Sequence, residues 1–430
     1  MKTPITEMFD IEFPIVAFSH CRDVIAAVSK AGGMGVLGAV AHSNEALETD
    51  LAWIEDEIGD RPYGVDLIVP ARYSGSEEGG LQVADLLAAV PGIHQDFLDE
   101  LLERYGVPEN PDASGWADQT GDAPFSANRA SHQMDIALAH RPSLLVNALG
   151  PPPAEMIQRC REAGVKVAAL AGTTVHAERN VAAGVDIIIA QGTEGGGHTG
   201  QIGSMVLLPE VVDAVHPVPV LGAGGIGRGR QMAAAMALGA AGVWCGSVWL
   251  TTDEAETHPV VKAKMLTATS TDTLRSRSIT GKPARMLRSA WTDEWDRSDT
   301  PDPLGMPLQN LFTSSALDRI NRAAHHEGSG AEDLATYFVG QIVGDMNRSK
   351  GAGQVVIDMV EEFIDAAQAV AARSYAVFER RTPRAAHYQL CDTSSCQVYG
   401  GVRAEQPGSD AAVRATAASY AARELRSSPA

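Results

Sequence analysis

The residues best suited to chemistry lie in QGTEGGGHTG, residues 191–200, where His198 follows three glycines just beyond the apolar run VDIIIA. An imidazole titrates near neutrality, so His198 suits proton transfer or the stabilisation of an anion. Gln191 carries both an acceptor and donors for the polar edge of a ligand. Gly195, Gly196 and Gly197 would let the backbone approach a flat molecule without a Cβ in the way. Glu194 either orients this loop or faces solvent. A plain glycine turn beside a surface histidine would leave the same local pattern, so the motif gains meaning only from its neighbours.

Two further glycine motifs follow. VPVLGAGGIGRGRQ, residues 218–231, reads as strand, turn and helix. There Gly224 and Gly225 can offer backbone N–H groups to a phosphate at the positive end of the helix. Arg228 either assists or faces solvent. GVWCGS, residues 242–247, places Gly246 and Ser247 where a second loop would complete the cradle. Cys245 is expected to be packed, with no histidine partner to activate it. GAGGIG is not a dinucleotide fingerprint, because it does not open the chain's first strand–helix unit and no ribose-binding acid follows.

The elements that must position these residues repeat along the chain. Apolar runs occur at 13–18, 35–39, 64–69, 143–150, 165–170, 186–192, 218–224 and 242–247. Continuous hydrophobicity suits parallel strands covered on both faces. Helical patterns with polar starts and glycine stops lie between them at 23–32, 152–164, 174–184 and 227–240. The beat predicts an α/β (β/α)8 (TIM) barrel over residues 5–253, with catalytic residues at the carboxyl ends of its strands. A doubly wound sheet shares the rhythm and is the competing architecture. Residues 71–142 form a long insertion between the third and fourth strands. Its stretch 94–122 holds eight acidic residues against Arg104 alone, and reads as an amphipathic helix with an exposed loop, or as a lid. Residues 254–377 are expected to form a helical extension covering the barrel, with helical patterns around 331–347 and 353–377. Residues 380–430 read as a peripheral, partly disordered tail.

Composition narrows the function. The 430 residues carry 34 Lys and Arg against 54 Asp and Glu, a formal charge of −20. That field disfavours nucleic acid as a partner. The five cysteines make no zinc pattern, and no metal is expected. Cys391 and Cys396 could form a small bridge or remain two thiols. Neither a leader nor a membrane-length apolar run is evident, which points to a cytoplasmic protein with no membrane partner.

The ordered set IEFPIVAFSHCRDVIAAVSKAGGMGVLGA, QGTEGGGHTG, GAGGIG and GVWCGS resembles the nitronate monooxygenase family, formerly 2-nitropropane dioxygenase, over roughly residues 5–350. The same superfamily includes flavin-dependent enoyl-acyl-carrier-protein reductases. The resemblance implies FMN across the barrel mouth. Ala17 and Phe18 would lie near the flavin ring, Gln191, Gly192 and Gly197 beside it, and Gly224, Gly225, Gly246 and Ser247 around its phosphate. Lys166 is a further implied contact, His198 the implied catalytic residue and His20 a substrate contact. The implied reaction is oxidation of an alkyl nitronate with O2 to a carbonyl compound and nitrite. The alternative is an FMN-dependent NAD(P)H oxidoreductase reducing an activated double bond such as an enoyl thioester. Two departures stand out: Asp66 in GVDLIV where relatives often carry Asn, and EGGGH in place of EAGGH. GMPLQNLF (305–312) and YFVGQIVGDMN (337–347) also resemble longer relatives. Their Gln309, Gln341 and Asn347 either reach a polar substrate or make ordinary hydrogen bonds.

Overall fold

Apolar runs without polar alternation need cover on both faces, and a closed parallel sheet ringed by helices provides it. The computed structural model describes residues 1–69, 83–109, 127–148, 150–326 and 328–381. Parts of the 71–142 insertion, and the tail from 382 with Cys391 and Cys396, lie outside the described residues.

Eleven strands are present among the described residues: β1 (Ile15–Ser19), β2 (Met34–Gly38), β3 (Tyr63–Leu67), β4 (Leu144–Asn147), β5 (Lys166–Ala171), β6 (Ile187–Gln191), β7 (Gly197–His198), β8 (Val220–Ala223), β9 (Gly242–Cys245), β10 (Thr273–Ser276) and β11 (Ala284–Leu287). Eight of them close a barrel in the order β1-β2-β3-β4-β5-β6-β8-β9. β9 returns to β1 in parallel, with Ile15 opposite Val243 and Ala17 opposite Cys245. All eight apolar runs are barrel strands, so the barrel stands and the open doubly wound sheet does not.

Alternation along each strand sends every second side chain inward. Val16, Met34, Val36, Leu144, Val146, Ala168, Ile187, Ile189, Leu221, Ala223 and Trp244 fill the interior together with Ile5, Phe9 and Ile11. The last three come from the short helix Pro4–Phe9 and the turn after it, which close the amino end of the barrel. That helix starts because Thr3 and Thr6 form a capping box around Pro4, and it stops at Asp10, whose φ is 53°. The expected helices occur at Arg22–Lys30, Ala154–Ala163, Thr174–Ala183 and Gly229–Ala237.

A second apolar core joins two stretches far apart in sequence. Phe97, Leu98, Leu101 and Leu102 come from the insertion helix Gly92–Arg104. They cluster with Met265, Met286, Trp291, Trp295, Phe312, Ile320 and Val343 of the extension. Phe97 meets Trp295 edge-on at 4.8 Å between ring centroids. Arg104 reaches Glu294 at 2.7 Å on the rim. The insertion and the extension are therefore one packed body. Residues 254–357 belong to one compact unit made of Met1–Gly227 and Ala234–Ile357. The other unit joins Arg228–Ala233 to the segment from Asp358. Within it Glu362 accepts from Arg228 at 2.7 Å and from Arg230 at 2.6 Å, so Arg228 is committed to an ion pair.

The extension departs from expectation at 331–347. Only Ala331–Leu334 is α-helical, with a 3-10 turn at Gln341–Asp345. The stretch between runs beside β11: Thr336 Oγ1 donates to Leu287 O at 2.6 Å, Leu287 N donates to Tyr337 O at 3.0 Å, and Phe338 bridges Met286. Backbone pairing across the chain has overridden the local helical pattern. The helix expected at 353–377 runs over Ala352–Arg381. Among the described residues no helix is long and apolar enough to cross a membrane.

Candidate active site

The loop after β6 is held open by partners that local sequence does not reveal. Its two-residue strand β7 pairs antiparallel with β11, His198 opposite Ala284 and Gly197 opposite Arg285, giving a three-stranded sheet in the order β10-β11-β7. Arg285 Nε donates to Thr193 O at 3.0 Å, and Arg275 Nη2 donates to Thr199 O at 2.8 Å. Glu194 accepts from the backbone N and the hydroxyl of Ser204, each at 3.0 Å, so it orients the loop. From the other side Gln341 N donates to Glu194 O at 2.9 Å. A side chain on Gly196 would meet the backbone of Val339 and Gly340 at 2.9 Å. The glycine there makes room for the extension, not for a ligand. Gly195 likewise abuts the Gln191 side chain. Only Gly197 of the three, at φ 73°, faces open space.

His198 Nε2 lies 2.9 Å from Thr280 Oγ1. The Thr280 hydroxyl donates to Lys282 O at 3.1 Å, so toward the ring it can only accept. The network therefore assigns the proton of the neutral ring to Nε2 and the lone pair to Nδ1. The side chain keeps an exposed face yet loses water from much of its surroundings. That desolvation, and then the nearby Lys282 charge, hold its pKa below the ordinary histidine value. A neutral imidazole with a basic Nδ1 beside a cation can take a proton and attract the anion left behind.

The other sequence candidates divide by their place in the barrel. Phe18, next to last in β1, faces inward, stacked 5.8 Å from Trp244, while Ala17 is buried in that strand with its side chain outward. Gln191 ends β6 opposite Ala223, its Nε2 3.5 Å from Gly196 O. Gly192 N donates to Ala223 O at 3.0 Å. Gly224 sits at φ 91°, and a Cβ on it would lie 2.8 Å from Gly192 O, so the turn admits no side chain. Gly246 precedes the 3-10 turn Ser247–Thr251. Ser247 Oγ accepts from Gly340 N at 2.8 Å, leaving its own proton to donate. Cys245 is buried, and burial pushes its thiol up to about 12, which fits packing and not nucleophilic attack. Gln309 is fully buried between Leu304 N and Ser278 O and is structural.

His20 leaves β1 with Nδ1 2.8 Å from Gly38 O and lines an open cleft of about 470 Å³ with Ala41, His42, Ser43, Ala46 and Glu256. Lys166 is a correction. It opens β5 at the amino end of the barrel, opposite Leu144, and its Nζ pairs with Asp186 at 3.0 Å. It is at the wrong end of its strand to meet a ligand at the mouth. Sequence reading also missed Thr280, Lys282, Arg275 and Arg285. Their positions follow from the β7–β11 pairing, which spans some 87 residues of chain and leaves no local signature.

The residues fit a flavin mononucleotide on their own chemistry. The N–H groups of Gly224 and Gly225 donate to no other described residue and suit a phosphate. Ser247 supplies a hydroxyl beside them, Gly246 is open apart from Phe18 at 3.7 Å, and Gln191 offers an amide. Buried Asp66 Oδ1 has no hydrogen-bond partner among the described residues.

Comparison with known proteins agrees with this geometry. A family model described as nitronate monooxygenase matches residues 2–362. A second, described as Stage II sporulation protein, matches 355–421, mostly beyond the described residues. A Mycobacterium tuberculosis protein named as a monooxygenase is 59% identical over 85% of this chain and 97% of its own length. A Staphylococcus saprophyticus protein named as a nitronate monooxygenase is 30% identical over 77% of this chain and 92% of its own. Among solved structures, nitroalkane oxidase from Streptomyces ansochromogenes superposes with TM-score 0.68 at 27% identity, covering 85% of this chain and 99% of that one. A FabK variant from Thermotoga maritima superposes with TM-score 0.61 at 25% identity, covering 87% and 100%.

Proposed function

The chain belongs to the nitronate monooxygenase family, flavin-dependent oxidoreductases whose superfamily includes FabK-type enoyl reductases, and from that premise we propose that it oxidises alkyl nitronates with O2 to carbonyl compounds and nitrite. FMN would supply the electron chemistry when bound. Its phosphate would be held by Gly224, Gly225, Gly246 and Ser247, and its ring flanked by Phe18, Gln191, Gly192 and Gly197.

The observation that carries this reading is the His198–Thr280–Lys282 arrangement. Thr280 fixes the tautomer, so Nδ1 is the atom that receives a proton from the carbon beside a nitro group. The proton moves to Nδ1 while the C–H electron pair passes into the nitro group, giving a nitronate beside an imidazolium. When the substrate arrives already ionised, the Lys282 charge attracts it and no proton transfer to His198 is needed. An enoyl reductase would need the opposite service, a proton delivered to a carbon after hydride arrival, and a depressed histidine pKa is poorly matched to that task at neutral pH.

Nitrite release and oxygen uptake with an alkyl nitronate, compared with a neutral nitroalkane, test the proposal. Both substrates should turn over in the unaltered protein. His198→Ala should retain FMN and lose the nitroalkane reaction by about 100-fold or more, the usual reach of general-base catalysis. Unchanged turnover of the neutral substrate would remove His198 from the mechanism.

A further inference from the structure

Asp66 is a buried acid at the functional end of the barrel that the reaction above does not use. β3 register sets it opposite Gly38 on β2 and Val146 on β4. Alternation gives it the inward direction of Gly64, whose Cβ would touch Val36 and Leu144 of the interior cluster. It stands one inward position nearer the mouth than Gly64. The residue is 5% exposed, and Oδ1 has no partner among the described residues.

Resting on the flavin reading, we propose that the Asp66 carboxyl, in its protonated form, donates a hydrogen bond to an acceptor on the flavin, so that cofactor affinity depends on its proton. Among the described residues no counter-charge acts on the carboxyl, and burial is what raises its pKa. Arg129, buried on the helix Ala127–Ala139 that packs on β3, donates instead to Val40 O at 3.3 Å and His42 O at 2.8 Å. From the end of β1, His20 rests on Gly38 O, and burial leads the causes that lower its pKa, with His42 adding to them. His42, after β2, is turned to Asp50 at 3.1 Å. Asn147, ending β4, is uncharged and occupied by Val69 N at 2.9 Å and Val69 O at 3.2 Å. Lys166 on β5 is at the opposite end with Asp186, and His198 beyond β6 is held toward its neutral form. An ionised carboxylate in this setting would be buried without a partner, which costs far more than burying the neutral acid. Burial accordingly pushes the Asp66 pKa well above the usual carboxylate range. A neutral acid offers one O–H donor, which is the service an amide would give at this position, with one difference: it ends when the proton leaves.

The test measures FMN dissociation from the purified holoprotein between pH 5 and 9, roughly the span in which a raised carboxyl would titrate, alongside Asp66→Asn and Asp66→Ala. The unaltered protein should bind tightly at low pH and lose about tenfold or more in affinity as pH rises, since each pH step beyond the ionisation costs about a factor of ten. Asp66→Asn should hold the low-pH affinity across the range, and Asp66→Ala should bind weakly throughout. Thermal unfolding of the flavin-free proteins gives a second reading. A raised folded pKa favours folding below the unfolded value near 4 and loses that contribution as pH climbs, so the stability of Asp66→Asn should overtake that of the unaltered protein increasingly with pH. Parallel affinity profiles for the unaltered and Asn proteins, or an Asn variant that is less stable at high pH, would overturn this inference and leave the flavin reading intact. An unaltered protein that takes up no FMN at any pH would overturn both.

Discussion

His198 derives its chemical character from two residues of a distant hairpin, and each can be altered without touching the ring. Lys282 holds the imidazole toward its neutral form after desolvation has done most of that. Activity that needs a neutral base is present above the histidine pKa and falls as pH drops through it. Lys282→Met should raise that pKa and move the acid limb of kcat/KM for a neutral nitroalkane toward higher pH, while the alkaline side stays put. An acid limb that does not move would show that the Lys282 charge is screened from the ring. Thr280→Val keeps the side-chain shape but removes the acceptor that fixes the tautomer. Loss of one such bond is worth about 1 to 1.5 kcal/mol, so kcat/KM should fall about tenfold with FMN retained. An unchanged value would mean that Thr280 packs against the ring without orienting it.

At the scale of elements, the insertion helix and the extension stabilise each other, and the extension holds the His198 loop through Gln341, Arg275 and Arg285 and reaches Ser247 through Gly340 N. Trp295 is 3% exposed against Phe97 in that shared core. Trp295→Ala should destabilise the protein by about 3 to 5 kcal/mol, the usual cost of removing a large buried aromatic, measured by denaturant unfolding. A cost below about 1 kcal/mol would mean the two stretches do not depend on one another. These long-range contacts also mark where sequence reading stopped. The barrel was legible because most of its strands are apolar runs and the expected helices stop within two residues of a glycine, at Gly32, Gly164, Gly184 and Gly239. The glycine turns at Gly224 and Gly246 were legible for the same local reason. Residues 335–340 were not, because their extended form exists only beside β11. Lys166 was misread because it heads its run, and in a parallel barrel only the tail of each run reaches the mouth. The roles of Gly195 and Gly196 were misread because the backbone they admit comes from residues 339–340.

At the scale of the whole molecule, a charge of −20 surrounds a site expected to take an anion. The net field should repel a nitronate at long range, while Lys282 attracts it close in. Raising ionic strength from about 0.01 to 0.1 M shortens the screening length from about 30 to 10 Å, so kcat/KM for the nitronate should rise with salt while that for a neutral nitroalkane stays level. A fall for the nitronate alone would show that local cations outweigh the global charge. The family match and the FabK likeness place the chain in one flavin-barrel superfamily, and the proposed nitronate reaction and its NAD(P)H-dependent alternative differ in what would reduce the flavin. Anaerobic mixing of the purified holoprotein with an alkyl nitronate, and separately with NADH and NADPH, addresses that difference directly. The visible flavin band should bleach with the nitronate and persist with either nicotinamide; bleaching by NADH or NADPH, with none by the nitronate, would contradict the proposed reaction.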